Sequence, residues 1–459
     1  MINLNLKSKK NNSYDAIVVG TGISGGFAAK ELTEKGLNTL VLERGRNVRH
    51  VVDYPTMTKD PWDLPYGDEL TAEELKDYPV QKRTGYTLKQ STKHWWVKDT
   101  EQPYTEIKPF DWIRGYHVGG RSLLWGRQSY RWSEMDFKAN EIDGVGVPWP
   151  IGYQDLEKWY DYVESFIGVS GQNEGLPQLP DGKFLPPMEL NCLEMHLKKS
   201  IAENFKDRRL TIGRTANLTV PHNGRGSCQN RNMCRQGCPF GAYFSSNAST
   251  LPAAEKTGNM TLRPPSIVNS VIYDPEKKKA VGVRVIDAES GEMVEFYARI
   301  IFLNASTMNT TLILLNSVSE RFPNGLGNDS GELGHNLMDH HFKVGANGSY
   351  DGFEDRYYRG RRPNGFYIPR FRNLKGNDRN YIRGFGYQGR ASRQSWWRGV
   401  RELSIGSELK EYVSQPGSWT MGMTGFGECL PYHENKVWLD HNKTDKWGQP
   451  TLVVDCEFK

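Results

Sequence analysis

Residues 14–44 read YDAIVVGTGISGGFAAKELTEKGLNTLVLER. An apolar run, Ala16, Ile17, Val18 and Val19, meets the glycines Gly20, Gly22, Gly25 and Gly26, and an alanine-rich stretch follows from Phe27 to Glu34. That order spells strand, tight turn and helix. A second apolar run, Asn38 to Leu42, ends in Glu43, 23 residues after Gly20, with Arg44 beside it. In a βαβ unit of this kind the first glycine makes the turn, the second admits the backbone to a pyrophosphate, and the third packs helix on strand. An acidic residue about 20 positions on accepts from a ribose hydroxyl. The segment predicts a dinucleotide-binding unit and an α/β fold.

The same chain carries a contrasting copy of the glycine spacing. Gly384, Gly386 and Gly389 also spell G-x-G-x-x-G, but they lie between Arg383 and Arg390 with no apolar strand before them and no apolar helix after. They read as a loop.

With 459 residues, 37% hydrophobic and 12% aromatic, the chain can bury two to four domain-sized cores. No stretch approaches the roughly 20 apolar residues of a membrane span, so it reads as soluble and not integral to a membrane. The net charge of +5 comes from 59 basic and 54 acidic residues spread along the chain. Short clusters such as Arg359, Arg361 and Arg362 read as a solvated face, and nucleic acid is not indicated. The N-terminal MINLNLKSKKNNS has neither an apolar core nor a twin arginine. This predicts a cytoplasmic location, or a periplasmic one if a partner subunit carries the export signal.

Six cysteines are present, and three of them, Cys228, Cys234 and Cys238, fall within eleven residues in RGSCQNRNMCRQGCPFGAYFSS. Cys192, Cys429 and Cys456 are scattered and read as buried thiols. Soft thiolates on one short loop suit an iron-sulfur cluster or zinc. Zinc takes four ligands, and only the distant His222 is at hand. Three cysteines suit a three-iron cluster, with structural or disulfide cysteines as the alternative. Residues 46–118 are rich in Pro, Trp, Tyr and charge, and read as a lid over the cofactor or a surface excursion.

Gly115–Trp132, GYHVGGRSLLWGRQSYRW, places Gly119, Gly120, Ser122, Trp125 and Gly126 in a turn whose amides can face an anion or a polar ring edge. The nucleotide unit, this turn and Trp149-Pro150-Ile151 leading into Leu156, Tyr160 and Glu164 together resemble the glucose-methanol-choline (GMC) flavoprotein oxidoreductases. The resemblance is closest to the bacterial sugar and gluconate dehydrogenase branch, near the pyranose oxidases. It continues through Leu251-Pro252-x-Ala254 and through Thr261–Val271, which looks like the strand whose backbone near Val268 meets the adenine. Residues 299–316 resemble the returning strand and helix that set Ala305 and Ser306 beside the FAD. Gly334–His340, Gly427, Glu428, Pro431, Asn435, Leu439, Asp440, Asp445 and Gly448 resemble the later family signatures.

The resemblance implies a Rossmann-type FAD-binding domain with an antiparallel-sheet substrate domain. The FAD-binding parts are expected at 1–150 and 251–334, and the substrate parts at 151–250, with the cysteine loop, and 335–459. It implies hydride transfer from a sugar or glycoside hydroxyl to FAD. The cysteine loop resembles that of dehydrogenases passing electrons to a cytochrome, which implies a small subunit and a cytochrome as partners. Where pyranose oxidases carry a flavin-linked histidine this chain has Leu124, which implies non-covalent FAD. The family's catalytic histidine and its His or Asn partner are expected beyond Lys459, so the catalytic residues stay unknown. His340 and His341 are the substitutes to weigh, with His94 and His117 weaker and a structural role the alternative for all four. An oxygen-using oxidase and a non-catalytic flavin or sugar-binding protein remain alternatives. Trp95, Trp96, Trp396 and Trp397 could stack on a pyranose or plug a core.

Overall fold

The computed structural model describes residues 12–86, 88–357, 363–375, 379–395, 398–399 and 402–459. Arg359, Arg361, Arg362, Trp396 and Trp397 lie outside them. In chain order the strands are β1 (Ser13–Val19), β2 (Thr39–Leu42), β3 (Thr105–Glu106), β4 (Thr211–Ile212), β5 (Met260–Arg263), β6 (Ser266–Asp274) and β7 (Lys279–Asp287). Then come β8 (Met293–Leu303), β9 (His340–Tyr350), β10 (Phe366–Ile368), β11 (Gly386–Arg393), β12 (Trp419–Glu428), β13 (Lys436–Thr444) and β14 (Pro450–Asp455). One unit comprises Met1–Gly126, Met233–Leu337 and Pro431–Glu457; the other comprises Arg127–Asn232, Met338–Leu430 and Phe458–Lys459.

The first unit is built on a sheet of order β5-β2-β1-β8-β7-β6. Its first four strands run parallel, and β7 and β6 are added antiparallel. The unbroken apolar run of β1 follows from burial on both faces. Ala16 and Val18 pack with Ala29, Leu32 and Ala254 on one side, and Ile17 and Val19 pack with Leu40, Val283 and Ile313 on the other. A smaller sheet has the order β13-β14-β3. The expected single strand Thr261–Val271 is two strands. Pro264 and Pro265 interrupt it, because they have no N–H to continue a ladder. β5 therefore pairs with β2, while β6 lies at the opposite edge.

Residues 46–118 form short turns around an apolar core that includes Val48, Tyr54, Tyr78, Val80, Trp95, Trp96 and Ile113. Trp95 is 1% and Trp96 7% exposed, so these rings fill a core and offer no face to a sugar.

The second unit holds an antiparallel sheet of order β4-β10-β11-β12-β9. Helix Cys192–Asn204 covers one face, with Ile201 and Leu197 packed on Phe366, Ile368, Tyr387, Met421 and Met423. A capping box fixes its start: Asn191 Oδ1 accepts from Glu194 N at 3.0 Å, and Glu194 Oε2 accepts from Asn191 N at 2.9 Å. The glycines read as a loop prove to lie on β11, with Gly384 just before it. A Cβ at Gly386 would stand 2.3 Å from the Tyr367 hydroxyl, and one at Gly389 2.2 Å from the Phe366 ring. These glycines clear space for cross-strand aromatics, which a motif search cannot see.

Candidate cofactor cradle

Gly20 leaves β1 at φ +99, and a Cβ there would stand 2.4 Å from the Asn304 carbonyl oxygen, so the turn presses on the end of β8. A Cβ on Gly25 would lie 2.0 Å from the Gly20 carbonyl oxygen, and one on Gly26 2.4 Å from Thr250 Oγ1. These positions exclude any side chain. Gly22 differs, because a Cβ there meets nothing within 4 Å. Gly22 also caps helix Ile23–Glu34, which has no side-chain cap and no acidic residue in its first turn. The helix start therefore keeps unused N–H donors beside open space, the condition under which a helix N-terminus takes a phosphate.

Glu43, 6% exposed, closes the other side of the turn. Its Oε2 accepts from Thr21 N at 3.2 Å and from Thr21 Oγ1, and its Oε1 accepts from Gly45 N at 2.9 Å. Burial pushes the carboxyl above the ordinary carboxylate range, against the hydrogen bonds of Thr21 and Gly45 that pull it down. Arg44 turns to the β13–β14 hairpin. Its guanidinium meets Asp445 Oδ2 at 3.0 Å and Gln102 Oε1 at 2.8 Å, between the rings of Tyr116 and Trp447.

The Gly119-Gly120 turn joins this assembly. Thr21 Oγ1 accepts from Gly119 N at 2.9 Å, and a Cβ at Gly120 would point to the Gly22 Cα at 3.6 Å. Ser122 Oγ donates to Gly119 O at 2.6 Å and accepts from Ser246 N at 2.9 Å, while Ser246 Oγ donates to Gly22 O at 3.0 Å. Asn247 Nδ2 donates to Val48 O at 2.7 Å and Val118 O at 3.1 Å. Trp125 Nε1 donates to Phe244 O at 3.2 Å, next to Gly126, and Leu124 is buried in the core below. Thr21, Ser246, Asn247 and Asn304 belong to this network and were not singled out from the sequence. For Ser246 and Asn247 the only signal is the small polar run Ser245-Ser246-Asn247, which has no periodicity.

On the far side, Asn304 N donates to Val19 O at 2.8 Å, which brings Ala305 and Ser306 to the turn after β1. Ser306 sits at φ +71 and precedes helix Thr307–Asn316, again without a side-chain cap. Two helix starts thus follow the adjacent parallel strands β1 and β8, at the point where the sheet order reverses. Ser266 N donates to Glu43 O at 2.7 Å, so β6, with Val268 in its buried stretch, begins at the end of β2.

None of the six cysteines is joined in a disulfide, and among the described residues no three His, Cys, Asp or Glu side chains are placed to hold a metal ion. Cys228 Sγ accepts from Asn230 N at 3.4 Å. The turn carrying Cys234 and Cys238 is tied elsewhere: Trp95 Nε1 donates to Arg235 O at 2.9 Å, Gln236 Nε2 to Lys59 O at 2.8 Å and Arg235 Nη1 to Tyr86 O at 2.9 Å. One of these bonds satisfies a backbone carbonyl of the turn, and the other two anchor its side chains.

His117, 1% exposed, and His94 flank Trp95, and burial holds each imidazole down at about 4. They serve the core as neutral rings. His340 and His341 stand exposed at the start of β9.

Comparison with known proteins places these features in context. The family model described as GMC oxidoreductase matches residues 14–342. The fructose dehydrogenase large subunit of Gluconobacter japonicus is 26% identical over 468 residues, covering 96% of this chain and 79% of the relative. The gluconate 2-dehydrogenase flavoprotein of Pantoea cypripedii is 25% identical over 494 residues, covering 97% of this chain and 76% of the relative. Among solved structures, pyridoxine 4-oxidase from Mesorbium loti shares the fold with a TM-score of 0.55 at 15% identity, over 96% of this chain and 75% of that one.

Proposed function

Because the chain belongs to the GMC oxidoreductase family, FAD-dependent enzymes acting on CH–OH groups, we propose that its donor is a sugar or glycoside, oxidised to a ketone or lactone. Bound FAD supplies the hydride acceptor. The observation that carries the cofactor assignment is the open space at Gly22 within a turn whose other glycines are closed by backbone or side chains. Gly22 and the first turn of helix Ile23–Glu34 would receive the pyrophosphate, and Glu43 would accept from the adenosine ribose. Gly119, Gly120 and Ser122 would border the flavin, with Ala305 and Ser306 opposite. Leu124 has no nucleophilic nitrogen, which supports non-covalent binding. Support for a sugar donor comes from the relatives named fructose dehydrogenase and gluconate 2-dehydrogenase.

Transfer of electrons to a partner is the finer part of this reading. The cysteine spacing and a relative named as a large subunit support it. Among the described residues no three ligands are placed to hold a three-iron cluster at Cys228, Cys234 and Cys238, and no step is routed through one. Anaerobic purification with visible spectroscopy, iron and sulfide analysis tests both parts. Flavin bands that bleach with glucose, fructose or a glucoside are expected. Iron near three per chain would establish the cluster, whereas iron-free flavoprotein forming peroxide in air would establish an oxidase. A flavin that no sugar bleaches refutes the donor assignment.

A further inference from the structure

Between Gly20 and Gly22 stands a polar side chain, Thr21, 0% exposed, whose hydroxyl serves two parts of the first unit that are far apart in sequence. Thr21 Oγ1 accepts from Gly119 N at 2.9 Å and donates to Glu43 Oε2, and Thr21 N donates to the same carboxylate oxygen at 3.2 Å. The directions follow from the groups themselves. A backbone N–H can only donate and an ionised carboxylate can only accept, so the hydroxyl accepts from Gly119 and gives its own hydrogen to Glu43. The run from Gly119 N–H through the hydroxyl to the carboxylate therefore points one way and ends on a charge, an arrangement in which each bond polarises the next.

The two ends of this run belong to different halves of the cradle. Glu43 would accept from the adenosine ribose, and Gly119 opens the turn that would border the flavin. The turn is also stitched to the chain leaving β2. Val118 N donates to Arg46 O at 3.0 Å, and a Cβ at Gly45 would stand 2.0 Å from the Tyr116 carbonyl oxygen. Those contacts hold residues 116–118 to residues 45–46 in the ligand-free chain. Thr21 differs from them in its surroundings. Its backbone precedes Gly22, where the pyrophosphate would approach, and its hydroxyl meets the carboxylate that would take the ribose. A nucleotide in the cradle fixes Thr21 from both sides.

We propose that Thr21 is a positioning residue that couples the two halves of the dinucleotide site. Adenosine and pyrophosphate bound at Glu43 and Gly22 fix its hydroxyl, and the hydroxyl fixes the Gly119–Gly120 turn for the flavin. A ligand that spans both halves uses this coupling, and one confined to the adenosine half does not. Thr21 touches no reacting atom, and no step of the oxidation is assigned to it. The coupling rests on the FAD reading above and deepens it.

ADP probes the adenosine half and FAD the whole, with hydrogen exchange of the flavin-free full chain read by mass spectrometry on peptides covering Gly119 and Gly120. In the wild type, saturating ADP should slow exchange there about tenfold, the worth of one hydrogen bond held closed. Thr21→Val keeps the branched shape without the hydroxyl. In it the slowing should vanish, and FAD affinity should fall about tenfold further than ADP affinity. Thr21→Ser restores the hydroxyl and should restore both. Equal losses for ADP and FAD in Thr21→Val, or the same losses in Thr21→Ser, overturn the coupling. If Thr21→Val does not fold, the wild-type comparison decides by itself. ADP that binds the wild type and leaves exchange at Gly119 and Gly120 unchanged refutes the coupling alone, whereas a wild type that binds neither ADP nor FAD refutes the nucleotide site with it.

Discussion

Gly22→Ala separates ligand approach from folding. Gly22 has φ −63 and ψ −164, a conformation alanine adopts freely, and the added methyl meets nothing within 4 Å. Without FAD the variant should therefore be as stable as the wild type, or gain about 0.4–1 kcal/mol from a less flexible unfolded chain. With FAD the same methyl stands where the pyrophosphate must approach. Each N–H bond to a charged phosphate oxygen that it prevents costs about 1.5–3 kcal/mol. At about 1.4 kcal/mol per decade, one lost bond weakens FAD binding roughly 10- to 150-fold. Titration of the apoprotein with FAD, read by flavin fluorescence quenching, gives the affinity, and urea denaturation of the apoprotein gives the stability. Gly25→Ala provides the contrast: its Cβ would stand 2.0 Å from the Gly20 carbonyl oxygen, which belongs to the backbone and cannot turn away. It should lose about 1–3 kcal/mol or more with no FAD present. Tight FAD binding by Gly22→Ala would refute the assignment of the phosphate site.

Other outcomes follow from buried polar groups. Glu43→Gln presents an amide NH2 to either Gly45 N or the Thr21 donors, and one buried donor left without an acceptor should cost the apoprotein about 1–3 kcal/mol in urea denaturation. His117 is held down at about 4 by burial, against 6.5 when exposed, so between those values the unfolded chain takes a proton that the folded chain refuses. Its contribution therefore lowers stability as pH falls from 6.5 toward 4, by about 2 kcal/mol at pH 5 relative to neutral pH. In His117→Asn, whose amide can still reach Val118 O, the loss of stability between pH 7 and pH 5 should shrink by about that amount; an unchanged difference would show that the imidazole is not buried neutral.

What the sequence determined by itself is local. The run Ala16–Val19, the glycine spacing and Glu43 act within one βαβ unit, where Gly25 answers to the Gly20 carbonyl and Gly22 to open space, although Gly20 and Gly26 also press on distant Asn304 and Thr250. Chain connectivity alone brings them together, so their pattern survives as text. The rest of the cradle depends on distant partners: Gly119 N on Thr21 Oγ1, Ser246 on Ser122 and Gly22, and Asn304 on the end of β1. Such pairings leave no period or spacing, because any small polar residue reads alike until the sheet order brings its partner near. The same limit explains the misreadings. Gly386 and Gly389 serve cross-strand rings rather than a loop, and Pro264 and Pro265 split one apparent strand into two edges. Arg383 and Glu428, 45 residues apart, become a pair only because an antiparallel sheet and a left-handed backbone turn their side chains to the same point. Local covalent spacing fixed the nucleotide unit, while tertiary pairing decided which polar groups were left with a bond to offer.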